Sequence, residues 1–198
     1  MNLKFSSLIF VLLVSSNAFG NTEKKLSFDA RLLGHVGYGS AKFDANDSDP
    51  PETSQTGGRI MLGGLWNNEA SVGLAASYSD IQQRTAYDAS VGNRSGIKLA
   101  PIQLWVGGEI TPDFFFTATY DIMSTYKFSK KSTGDEVVLS APVAYSGAIS
   151  YRINELWFAS ICYESATFTE SKIGTGSTGV LITKFNITHY GLEFGIRL

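Results

Sequence analysis

The chain has two histidines, His35 and His189, and one cysteine, Cys162. Imidazole is the side chain best suited to serve as acid, base or metal ligand near neutral pH, so the segment Thr188-His189-Tyr190-Gly191 is the first place to look for catalysis. Acids alternate in Asp44-Ala45-Asn46-Asp47-Ser48-Asp49 as in a calcium loop, but that motif's glycine and distal glutamate are missing and Pro50-Pro51 follows at once. A solvated acidic loop is the expectation. Cys162, being alone, makes no intrachain disulfide and is read as a small packing residue facing an interior. The larger set of chemistry-bearing residues is Asp29, Arg31, His35, Arg59, Glu109, Asp121, Lys127, Glu164, His189, Glu193 and Arg197. What they do together depends on whether they share one face, and therefore on the elements that carry them.

Those elements are strands. Period-two alternation recurs along the chain. Over 114–128, Phe114, Phe116, Ala118, Tyr120, Ile122, Ser124, Tyr126 and Phe128 alternate with Phe115, Thr117, Thr119, Asp121, Met123, Thr125 and Lys127. Residues 137–151, 28–38 and 190–198 repeat the pattern, and weaker strands fall at about 59–66, 70–80, 97–110 and 156–167. This makes eight strands, with no helix after residue 25. In that register all eleven residues named above point to the polar face.

Met1 to Gly20 reads as an export signal, with Lys4 before the apolar core Leu8–Val14 and small residues at Ala18 and Gly20. Residues 21–198 then form one barrel domain. Charged residues are 17% of the chain, aromatics 13%, and the net charge is −2. That balance argues against a nucleic-acid partner, which needs a basic surface.

The connections sort by length. Short turns are expected at Asn67-Asn68-Glu69, Thr111-Pro112-Asp113 and Ile153-Asn154-Glu155, and long loops at Asp44–Gly58, Ser79–Gly96, Ser129–Asp135 and about Phe168–Gly179. Short turns on one side and long loops on the other describe a transmembrane barrel with both termini in the periplasm. The polar face is rich in Gly37, Gly39, Gly63, Ser71, Gly73, Ser77, Gly191 and Gly195, which suit a crowded lumen better than a water-facing surface. Aromatics gather at the two strand ends. Phe28, Trp66, Phe114, Tyr151 and Trp157 lie beside the turns; Tyr38, Tyr78, Tyr126, Phe128 and Tyr163 lie toward the loops. Trp105 fits poorly, since it points inward beside Gly107.

The C-terminal run Tyr190, Leu192, Phe194, Ile196, Leu198 resembles the terminal-strand signal of Gram-negative outer-membrane proteins, with Leu in the final aromatic position. The mature chain resembles the small eight-stranded barrels of the OmpA/OmpX type. The fold class expected is therefore all-β, an eight-stranded antiparallel up-and-down transmembrane barrel in the cell outer membrane. The resemblance implies lipid and lipopolysaccharide as surroundings and the barrel-assembly machinery as a partner reading the last strand. Some barrels of this size modify lipid A with a His, a nearby Ser and an acid; the segment around His189 departs from that pattern. No catalytic, cofactor or metal site is expected. The eleven polar residues are read as a hydrogen-bonded plug, and the function as a structural or surface-interaction barrel. A narrow solute channel and a lipid A-modifying enzyme are the alternatives.

Overall fold

A computed structural model describes residues 26–42, 52–67, 69–83, 94–130, 136–140, 143–173 and 179–198. The proposed signal segment, the acidic run 44–49 and the tips of the expected loops lie outside the described residues. The strands are β1 (Leu26–Lys42), β2 (Glu52–Trp66), β3 (Ala70–Gln83), β4 (Arg94–Glu109), β5 (Phe114–Lys130), β6 (Glu136–Ser140), β7 (Val143–Arg152), β8 (Trp157–Ile173) and β9 (Gly179–Arg197). β6 and β7 both pair with β5 on one side and β8 on the other, so they are two pieces of a single stave. Neighbouring strands pair antiparallel, and β1 pairs with β9, which closes an eight-stave barrel.

Followed around the wall from Trp66 through Ala70, Gly108, Phe116, Ile149, Ile161, Leu192 and Val36, the ladder returns to β2 at Thr56, ten residues up the strand. A stagger of that size tilts the staves and leaves a lumen wide enough only for side chains. The turns at one end are tight. Asn67 adopts a left-handed φ of 51°, a conformation asparagine tolerates well, and Glu69 N–H donates to the Trp66 carbonyl at 2.9 Å. Asn154 Oδ1 accepts from Leu156 N–H and Trp157 N–H at 2.9 and 2.8 Å, a side chain standing in for a backbone turn.

At the other end the staves continue well into what alternation marks as loop. Residues 52–58, 79–83, 94–96 and 168–173 are strand. The reason lies in a row of tyrosines, Tyr38, Tyr78, Tyr145, Tyr163 and Tyr190, that points outward around the wall. On the turn side of that row the outward residues are apolar and exposed, among them Phe28, Leu32, Ile60, Leu62, Leu74, Ile149, Ile161 and Leu192, and the inward ones polar. On the loop side the pattern reverses. Ser40, Ser54, Gln82, Ser165, Thr167, Asn186 and Thr188 now face out, while Ala41, Ile81, Tyr126, Leu139, Ala144, Ala166, Phe168 and Ile187 form a buried apolar cluster inside. Apolar-out, polar-in alternation therefore stops at the tyrosines although the strands do not.

Two staves, β4 and β5, also slip in phase near this level, and on β4 Ile97 and Leu99 stay outward beyond the slip. β4 carries an extra residue at Ala100-Pro101-Ile102, where the pairing with both neighbours shifts register. Proline has no N–H for the ladder and is confined to such bulges. Below the slip Gln103 and Trp105 point inward; above it Lys98 does, at 1% exposure. β5 slips beside it, so that Ile122 and Met123 are both exposed and Tyr126, not Thr125 or Lys127, enters the lumen. Two of the expected aromatic-belt residues are thereby corrected: Tyr126 is fully buried and Phe128 packs partly buried against the inner cluster.

Candidate functional site

The lumen is the place where the chemistry-bearing residues converge, and it is built in layers. Nearest the turns, Asp29 is fully buried and takes two arginines. Arg31 approaches at 3.2 and 2.8 Å through Nε and Nη2, and Arg197 at 3.2 and 3.3 Å through the same pair of nitrogens. Ser71 donates to the same carboxylate at 2.6 Å, and Arg31 Nη1 donates to Thr117 at 3.2 Å. At the rim Arg152 holds Glu109 at 2.6 Å, with both side chains half-exposed.

Above this lies an apolar layer of Leu33, Met61, Ala75, Trp105, Phe115 and Phe158. Trp105, the residue that suited neither face by sequence, is its centre. Its indole is fully buried, donates from Nε1 to the Leu62 carbonyl at 3.2 Å, and is covered by the Arg31 guanidinium 4.8 Å from its centroid. The ring fits because the wall beside it has no side chain. A Cβ on Gly63 would stand 2.8 Å from Trp105 Cζ2, and one on Gly107 3.3 Å from Cζ3. The same guanidinium lies 4.9 Å from the Phe115 ring, a geometry in which a desolvated cation–π contact contributes about 2 kcal/mol.

The third layer is ionic. Lys98 Nζ sits 2.7 Å from Glu164 and 3.3 Å from Asp121, and Tyr126 Oη donates to Glu164 at 3.1 Å. Gln103 Nε2 donates to Asp121 Oδ1. Arg59 reaches Glu193 at 3.4 Å and Glu164 at 4.0 Å. The two histidines border this network. His35 Nε2 lies 3.0 Å from Ser79 Oγ, with Gln55 Nε2 bonded to the same hydroxyl, and His189 Nε2 lies 2.8 Å from Thr53 Oγ1. Each ring faces a hydroxyl inside a closed lumen, and His35 and His189 are 8% and 3% exposed. Burial of so many charges costs several kcal/mol per ion unless each finds partners, which this network supplies.

Ten of the eleven residues named from the sequence lie in the lumen or at its rim. Lys127 does not. It is exposed on the outer wall, because the β5 slip turns it outward. Its place as the interior lysine is taken by Lys98, which strict alternation through 97–110 puts outside. Gln55, Ser79, Gln103 and Tyr126 were likewise not singled out. The signal that would have found Lys98 is Pro101, a proline in the middle of a strand; the separate slip that turns Tyr126 inward falls at Ile122-Met123 on β5. Cys162 is half-buried and free. Among the described residues no group of three His, Cys, Asp or Glu has a geometry that would hold a metal ion. The C-terminal series keeps its register: Tyr190, Leu192, Phe194 and Leu198 are exposed outward, with Ile196 intermediate and opposite Trp157.

No family model matches the chain, and no curated protein matches it in sequence. Solved structures do match it in shape. Ail, the attachment invasion locus protein of Yersinia pestis, superposes with a TM-score of 0.53 at 13% identity, over 86% of this chain and 98% of Ail. Neisserial surface protein A superposes with a TM-score of 0.53 at 12% identity, over 88% of this chain and 98% of that one. At such low identity the likeness is one of architecture, and with the closed wall described above it gives this chain the fold of the small eight-stranded outer-membrane barrels.

Proposed function

We propose that the chain is an integral outer-membrane protein with a sealed lumen, whose barrel rises out of the bilayer to form a water-exposed collar carrying the loops. The observation that supports this reading is the reversal of faces at the tyrosines. Phe28 and Tyr38 lie ten residues apart on β1. At about 3.3 Å per residue and a tilt of about 40°, they bracket an apolar band of about 25 Å, the height of an outer-membrane belt. Above it, a polar exterior around an apolar centre is the arrangement that water demands. Both chain ends and the tight turns then face the periplasm. Lipid and lipopolysaccharide cover the belt, and the outward series ending in Leu198 serves as the assembly signal.

The lumen supports a structural or surface-interaction role over a channel. Two apolar layers, one around Trp105 and one around Tyr126 and Phe168, bracket the ionic one. This reading gives the protein no catalytic step; the histidines serve as hydrogen-bonding partners of Ser79 and Thr53. Planar-bilayer recording tests it. The purified barrel is expected to give no stable conductance, and steady ion-conducting steps would replace the sealed lumen with a channel.

A further inference from the structure

We propose that the ionic layer of the lumen binds a monovalent metal cation of sodium's size at Asp121, Gln103 and Ser77, a site that rests on the sealed lumen proposed above.

The charges of that layer form a line. Asp121 stands 3.3 Å from Lys98, Lys98 2.7 Å from Glu164, Glu164 4.0 Å from Arg59, and Arg59 3.4 Å from Glu193. Acids occupy both ends, so two cations face three carboxylates. Among the described residues the other buried charges are Asp29 and Arg31, on the far side of the apolar layer around Trp105. Asp29 with two arginines carries a surplus of positive charge, but there Arg197 is 19% exposed and water reaches it. The surplus negative charge lies between two apolar layers, where an uncompensated ion is costly.

Either histidine could supply the missing charge only as imidazolium, which needs an acceptor at both nitrogens. Nδ1 of His35 and Nδ1 of His189 have no hydrogen-bond partner. At the Asp121 end it is acceptors that lack donors. Gln103 stands opposite Asp121 in the ladder and gives its Nε2 to Asp121 Oδ1, which leaves Gln103 Oε1 turned away and unpartnered. Asp121 Oδ2 and Ser77 Oγ also lack a hydrogen bond, and Ser77 is the next inward residue beyond Ala75, which faces Gln103. All three residues are buried, Gln103 completely. Water would satisfy these oxygens but not the charge. An amide oxygen, a hydroxyl and one carboxylate suit a hard cation, and a single surplus charge selects a monovalent one.

The test is urea unfolding of the whole barrel in vesicles of zwitterionic lipid, with sodium exchanged for choline at constant ionic strength. Choline is too large for the site. The folded-to-unfolded ratio is expected to rise about tenfold as sodium reaches about ten times its Kd. Asp121→Asn leaves two cations facing two carboxylates and is expected to fold with no sodium dependence. Ser77→Ala removes one oxygen and is expected to need about tenfold more sodium for the same effect; it decides the matter if Asp121→Asn does not fold. Equal stability of the unaltered barrel in sodium and choline would overturn the proposal. So would a sodium dependence that survives in Asp121→Asn or is unshifted in Ser77→Ala. Stability in choline that rises as pH falls, and no longer does so in His189→Gln, would assign the missing charge to a proton and overturn it as well. Steady conductance of the same barrel in a planar bilayer would instead overturn the sealed lumen on which the site rests.

Discussion

The belt and the collar are made from the same staves, yet they solve opposite problems. In the belt the solvent outside is apolar, so Leu62, Leu74 and Ile161 point out and charges must be neutralised inside one another's reach. On the proposed reading the solvent outside the collar is water, and there Phe168, Ile187 and Tyr126 turn in and Thr167 and Thr188 turn out. A strand has no intrinsic inside; the medium assigns it. The transition is made in two ways. β1, β3, β8 and β9 keep their phase and simply change composition, whereas β4 and β5 keep inserting large side chains and change phase instead.

The sharpest break of this comparison is at the ionic layer just below the collar core. Lys98→Ala removes the cation between Asp121 and Glu164 and leaves buried carboxylates facing each other, at an expected cost of about 3–5 kcal/mol. Lys127→Ala, on the outer wall, is expected to change stability by no more than about 0.5 kcal/mol. Urea unfolding in lipid vesicles reads both, and a larger loss at Lys127 would return that side chain to the lumen. One step smaller, Leu74→Arg places a charge on the belt's lipid face and is expected to cost about 2–4 kcal/mol, while Thr167→Arg in the collar is expected to cost close to nothing. Equal costs at the two sites would erase the boundary between belt and collar.

A smaller thermodynamic effect than at Lys98 or Leu74 is expected at the chain's end. In the proposed orientation Leu198→Asp lies near the periplasmic interface, where a charge costs about 0–1 kcal/mol. A pronounced loss of folded barrel from outer-membrane fractions would then report failed recognition rather than lost stability, and Leu198→Phe is expected to be neutral or favourable. Wild-type amounts of folded Leu198→Asp would remove the assembly role from the C-terminal series.

Much of the belt was legible in the sequence because its two environments differ so strongly. Where hydrocarbon meets a polar lumen, alternation such as Phe114 to Asp121 is unambiguous. The collar was not legible, because its alternation runs between hydroxyl-bearing and small residues, as in Thr53-Ser54-Gln55-Thr56, and carries little hydropathy contrast. Such a stretch reads as loop by composition although it is strand by hydrogen bonding. The lysine assignment failed for a separate reason. Period-two reasoning carries one phase along a whole strand, and a single extra residue, at Pro101 on β4 and at Ile122-Met123 on β5, inverts everything beyond it. Trp105 shows the converse: the register gave its direction, but the glycines that admit it, Gly63 and Gly107, become neighbours only when three strands are assembled.

The pairing of β1 with β9 has a consequence in time. Gly39 lies opposite His189, and Arg31 opposite Arg197, so the wall's closing contacts join segments more than a hundred residues apart. Long-range pairings must meet the entropy of closing their loops before they return any stabilisation, and folding slows accordingly. Until the last strand arrives, β1 presents an open edge. The ionic layer is then also incomplete, since Glu193 and Glu164 reach Arg59 only across that seam. A nascent chain halted before residue 190 is therefore expected to expose both an unpaired strand and an unneutralised arginine, a state that favours prolonged retention by whatever escorts it to the membrane.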